Sequence, residues 1–101
     1  MENLSANDFK TAIETNDNAV VIDVRTLEEE AEGKIEKAIN MNIMEQSFLA
    51  KVMDLDKSKN YYVFCRSGGR SVSACQFMEK QGLKTYNLLG GIQAWNTLNQ
   101  V

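Results

Sequence analysis

"YYVFCRSGGRSVSACQFMEKQG", residues 61–82, decides how this chain folds. Residues 61–64 are an unbroken aromatic and β-branched run, which reads as a buried strand. Residues 71–82 place Ala74, Cys75 and Met78 on one helical stripe, and Gly82 is a stop signal for that helix. Between them lies a short loop of cysteine, arginine, serine and glycine. A strand that runs straight into a loop and then a helix is the unit of a parallel α/β sheet.

The same alternation continues on either side. Ser5 is a candidate helix cap, with Asp8 completing the capping box, and Leu4, Phe9, Ala12 and Ile13 form an apolar stripe behind it. Residues 19–24, "AVVIDV", predict a strand covered on both faces. Residues 27–34 are a short acidic helical turn that Gly33 stops, and residues 38–43 read as a second strand. A helix is expected over 44–55, with Met44, Phe48, Leu49, Val52 and Met53 on one face, broken by the polar run 56–60. After Gly82 come a strand beginning at Thr85, a turn at Gly90–Gly91, and a last helix over 92–100 anchored by Ile92, Trp95 and Leu98. Strands separated by helices pair in parallel through right-handed crossovers. The expectation is one small α/β domain over residues 1–101, a central parallel sheet with helices on both faces.

Composition narrows the function. With 101 residues there is room for one core, and 44% apolar with 25% charged residues is a globular balance. A net charge of −3 argues against nucleic acid as a partner, since phosphate binding needs a cationic surface. No apolar run approaches the ~20 residues of a membrane span, and the polar, acidic start is wrong for a secretory signal. Two cysteines and no histidine exclude the common zinc ligand sets and every Cys–His or Ser–His pair. No metal or cofactor is implied. An intracellular, cytoplasmic protein with reduced thiols is the expected setting.

The chemistry therefore centres on Cys65. In a parallel sheet, ligands sit beyond the carboxyl ends of the strands, and Cys65 falls there. Gly68 and Gly69 let the backbone curl tightly, which turns successive N–H groups inward as an anion-binding nest. The N-terminus of the following helix adds partial positive charge, and Arg66 and Arg70 add two full charges. Such neighbours lower a cysteine pKa from ~8.5 to roughly 3.5–7.5. The nucleophile then needs no general base.

At this point the chain closely resembles the single-domain rhodaneses, a sulfurtransferase family. The resemblance rests on "VIDVR" (21–25), "EEEAEGKIEKAIN" (28–40), "CRSGGRS" (65–71) and "LLGGIQAW" (88–95). Two departures stand out: Lys34 replaces a usual histidine, and Glu36–Lys37 a usual Pro-Gly turn. The resemblance implies that Cys65 takes the outer sulfur of an anionic donor such as thiosulfate, holds it as a persulfide, and passes it to cyanide or a thiol, a protein thiol included. It implies that the N–H groups from Arg66 through Ser67, Gly68, Gly69 and Arg70 to Ser71 cradle the persulfide. Arg66 would meet the donor and Arg70 would fix the loop. Asp23, Arg25 and Glu29 look like a supporting set, with Arg25 paired to Glu29 and Asp23 near the base of the loop. Trp95 is expected in the core.

Three other readings stay open. Cysteine-loop phosphatases and arsenate reductases place an arginine after five intervening residues, where this chain has Ser71, its arginine coming one position earlier. A redox pair of Cys65 with Cys75 needs Cα atoms within about 7 Å, whereas Cys75 is expected to face the core. A non-enzymatic binding or sulfur-carrier module is compatible with the fold, although such modules usually lack the cysteine.

Overall fold

The computed structural model describes residues 1–98. Its elements in chain order are β1 (Glu2–Leu4), α1 (Ala6–Thr15), β2 (Ala19–Asp23), a 3-10 turn (Glu28–Glu32), β3 (Ile39–Asn40), α2 (Phe48–Met53), β4 (Asn60–Phe64), α3 (Gly69–Lys80), β5 (Lys84–Leu88) and α4 (Gly91–Leu98). The strands form one sheet in the order β1-β5-β4-β2-β3, every pair parallel. This is the expected α/β class.

The two-residue period of β4 explains the layering. Tyr61, Val63 and Cys65 point to one face, where they pack with Phe48 and Val52 of α2 and with Ala74, Cys75 and Met78 of α3. Tyr62 and Phe64 point to the other, against Phe9 of α1 and Ile92 of α4. Side chains alternate across a strand, so a central strand must be apolar at every position to be covered on both sides. β2 and the residue after it alternate in the same way apart from Asp23, with Ile22 and Val24 on the first face and Val21 on the second.

Several local expectations change. Residues Glu2–Leu4 form an edge strand paired only with β5, so Leu4 leaves the helical stripe that the sequence assigned it. Ser5 does cap α1, accepting from the Asp8 N–H at 3.2 Å. β3 is only two residues long, and α2 begins at Phe48, with Met44 in the turn before it. Only Phe48 and Val52 of the expected stripe are buried, while Met44, Leu49 and Met53 are exposed. One turn of contact is enough for so short a helix. α3 starts at Gly69, two residues before the expected Ser71, which brings Arg70 into its first turn. On α4, Ile92 is buried and Trp95 partly so, but Leu98 is exposed and anchors nothing. Asn99 and Gln100, placed in that helix by the sequence, lie outside the described residues.

Candidate active site

Cys65 follows the last residue of β4, at the carboxyl edge of the sheet and at the N-terminal end of α3. Gly68 makes the loop possible: its φ of 117° lies where a side chain would strain the backbone. This bend aims the Gly68 N–H at the Cys65 sulfur, 3.0 Å away. Ser71 Oγ lies 3.4 Å from the same atom. Burial of the thiol raises its pKa. The Ser71 hydroxyl and the N–H groups of Ser71, Gly68 and Ser67 outweigh burial, and the net shift is downward. Of the six loop N–H groups, that of Gly68 is held in hydrogen-bond geometry to the sulfur, and those of Ser67 and Ser71 also favour its charged form. The residue is only 1% exposed, so the loop covers it almost completely.

Both loop arginines are paired with carboxylates. Arg70 donates to both oxygens of the Glu29 carboxylate, at 2.7 and 2.6 Å. Arg66 pairs with Glu32 at 2.9 Å on the exposed rim. Each loop arginine thus carries its own carboxylate counterion. Among the influences that lower the thiol's pKa, the serine hydroxyl and the main-chain amides lead, rather than a bare guanidinium.

Arg25 departs from its expected partner. It meets the Asp23 carboxylate through Nε and Nη2, both at 2.9 Å, and donates to the backbone carbonyls of Glu29 and Gly33 at 3.0 and 2.8 Å. Its guanidinium also lies over the Phe64 ring, 5.3 Å from the centroid. Arg25 therefore binds the main chain of Glu29, leaving the Glu29 side chain to Arg70. Asp23 stands level with Phe64 in the sheet register, beside the start of the loop, as expected. Together Asp23, Arg25, Glu29 and Arg70 tie the segment after β2 to the first turn of α3.

The Gly90–Gly91 turn does more than reverse the chain. The N–H of Ile92 donates to the Cys65 carbonyl at 2.9 Å, so the start of α4 holds the loop from below. A Cβ on Gly91 would lie 2.5 Å from that same carbonyl oxygen. Gly91, Ile92 and Asn87, which accepts from Ser71 Oγ at 2.5 Å, are site residues that the sequence reading missed. The only available signal was that "GG" comes one residue after the end of β5, at the sheet edge that carries Cys65.

Cys65 and Cys75 are both free thiols. Burial pushes the Cys75 thiol up to about 11, which leaves it protonated and inert.

A parallel sheet carrying an ionisable cysteine in an amide-lined loop defines a cysteine-loop α/β domain. The family model described as "Rhodanese-like domain" matches residues 5–98, and the chain belongs to that family. It is 39% identical over 95 residues to a Bacillus subtilis (strain 168) protein named "Putative sulfurtransferase YtwF", covering 94% of this chain and 90% of that one. It is 32% identical over 80 residues to a "Sulfurtransferase" of Allochromatium vinosum, covering 78% of this chain and 73% of the relative. The crystal structure of a rhodanese-related protein from Thermoplasma volcanium is 32% identical, with a TM-score of 0.84 over 100% of this chain and 96% of that one.

Proposed function

We propose that the protein is a sulfurtransferase that moves a sulfane sulfur from an anionic donor, thiosulfate or a persulfide, to a thiol or cyanide through a Cys65 persulfide. The observation that carries this reading is the Gly68 N–H held 3.0 Å from the Cys65 sulfur, with Ser67 and Ser71 adding to the same cradle. Such a ring stabilises a negative sulfur before and after transfer. The relatives named as sulfurtransferases support it.

In the first half-reaction the Cys65 thiolate attacks the outer sulfur of thiosulfate. A Cys65–sulfur bond forms, the sulfur–sulfur bond of the donor breaks, and sulfite leaves with the electron pair. The persulfide keeps one negative charge, to which the loop N–H groups donate hydrogen bonds. In the second, a thiolate or cyanide attacks the outer sulfur, and Cys65 departs as thiolate. No proton needs to be moved by a base, which suits a chain without histidine. Arg66, half exposed at the rim, meets the anionic donor by exchanging Glu32 for it. Arg70, held by Glu29, keeps the loop in shape. The acceptor's thiolate attacks the outer sulfur of the persulfide, and a cytoplasmic setting would keep both cysteines reduced.

Phosphate chemistry fits less well. The position where a cysteine-loop phosphatase carries its arginine holds Ser71, and Arg70 is turned to Glu29.

Intact-mass measurement after incubation with thiosulfate tests the reading. The expected result is a gain of one sulfur atom, reversed by cyanide or dithiothreitol and absent from Cys65→Ala. No gain with any sulfane donor would end the sulfurtransferase assignment. A persulfide that forms but passes to neither cyanide nor a small thiol would favour the sulfur-carrier reading.

A further inference from the structure

Behind the loop, a line of polar side chains runs from the sheet edge to the nucleophile. Asn87 on β5 is 1% exposed and stands level with Asn3 of β1 in the parallel register. Asn87 Nδ2 donates to Asn3 Oδ1 at 3.0 Å, and Ser71 Oγ donates to Asn87 Oδ1 at 2.5 Å. The same hydroxyl lies 3.0 Å from the Gly68 carbonyl oxygen and 3.4 Å from Cys65 Sγ.

A hydroxyl has one proton, so three acceptors compete for it: Asn87, Gly68 and the sulfur. When the proton lies on the shortest contact, toward Asn87, a serine lone pair faces Cys65, which suits a neutral S–H donor. Turning both carboxamides by half a revolution exchanges nitrogen for oxygen with little change in shape. Asn3 then donates to Asn87, Asn87 donates to Ser71, and the serine proton is released toward the sulfur. A charged sulfur is a stronger acceptor than a peptide carbonyl. Two carboxamides in series can therefore follow the charge on Cys65 without moving the backbone.

We propose that Asn87, braced by Asn3, is a positioning residue for Cys65: its carboxamide decides whether the Ser71 proton points to β5 or to the sulfur, and so how readily the sulfur carries negative charge. The inference rests on Cys65 being the nucleophile of the reaction above. The other charged or titratable groups around Cys65 are Arg66 in the loop, Arg70 and Cys75 on α3, and Asp23 on β2. Arg66, Arg70 and Asp23 are paired with Glu32, Glu29 and Arg25, and Cys75 is a buried thiol with a raised pKa.

The test is the pH dependence of iodoacetamide alkylation of Cys65 in the full chain, read by peptide mass spectrometry. It needs no sulfur donor, so it can be scored even if the intact-mass experiment finds no persulfide. Asn87→Ala is expected to raise the alkylation midpoint by about one pH unit, a ten-fold loss of thiolate below it. Ser71→Ala is expected to raise it as well, and adding Asn87→Ala to Ser71→Ala should change nothing further. A purely structural role for Asn87 would give the same shift with or without the serine hydroxyl, and that result overturns the proposal. So does an unchanged midpoint in Asn87→Ala. If that variant does not fold, the isosteric Asn87→Asp takes its place. It can accept but not donate, so its shift should be larger with Ser71 present than in Ser71→Ala, and equal shifts overturn the proposal.

Discussion

Arg70 and Glu29 meet through two parallel hydrogen bonds of 2.7 and 2.6 Å, joining the first turn of α3 to the 3-10 turn after β2. The pair is separated by 41 positions in sequence and is the main reason the Glu29 pKa lies well below its ordinary value. It also means that the arginine nearest the helix start serves the architecture of the loop. Arg66, the other loop arginine, stands half exposed at the rim beside Glu32.

Glu29 makes stability depend on pH. Its hydrogen bonds to Arg70, opposed by burial and aided by Thr26, lower its pKa from 4.5 to about 2. The ionised pair therefore stabilises the fold above pH 4.5, and this contribution fades as pH falls toward 2. Both side chains are partly exposed, so screening limits it to about 1 kcal/mol. Glu29→Gln should be less stable than the parent by about that amount at neutral pH in urea titrations. The gap should close through the acid window, and a constant gap would contradict the pairing.

Asp23 and Arg25 are 2% and 0% exposed. Removing the carboxylate leaves a guanidinium buried without its counterion. Asp23→Ala should cost about 3–5 kcal/mol, seen as a large fall in the urea midpoint. A loss no greater than that of a surface substitution would mean that water replaces the carboxylate.

Lys37 has φ of 70°, the left-handed region that a branched carbon disfavours. It stands where the resemblance leads one to expect glycine. Lys37→Gly removes the strain at the cost of a more flexible unfolded chain, and the difference should stabilise the protein by about 0.5–1 kcal/mol. A higher thermal midpoint in the variant is the expected reading.

The two cysteines should separate cleanly in labelling. Cys65, with its lowered pKa, should react with iodoacetamide at a pH where an ordinary thiol is still protonated. Cys75, pushed up to about 11 by burial, should be modified only after unfolding. Comparable rates at neutral pH would show that the loop amides do not act on Cys65.

Much of this was legible in order along the chain. The largely apolar strands 19–24 and 61–64, the helical stripe of α3 and the Cys-Arg-Ser-Gly-Gly loop between strand and helix all depend on neighbours within a few residues. The miss at Glu2–Leu4 has the opposite cause. Nothing in "ENL" favours a strand, and only the unpaired edge of β5 makes it one. The helix over 44–55 was overdrawn because its spacing matched a stripe, while the core had room for just Phe48 and Val52.

By itself the sequence settled the class of fold and the position of Cys65 in a glycine loop between strand and helix, because periodicity, glycine φ preference and capping are short-range properties. Tertiary structure alone decided which carboxylate each arginine meets, how α4 holds the Cys65 carbonyl, and the line from Asn3 through Asn87 to Ser71. Those partners lie as many as 84 positions apart. Polar groups bond whichever neighbour the folded backbone brings within reach, and spacing along the chain does not encode that choice.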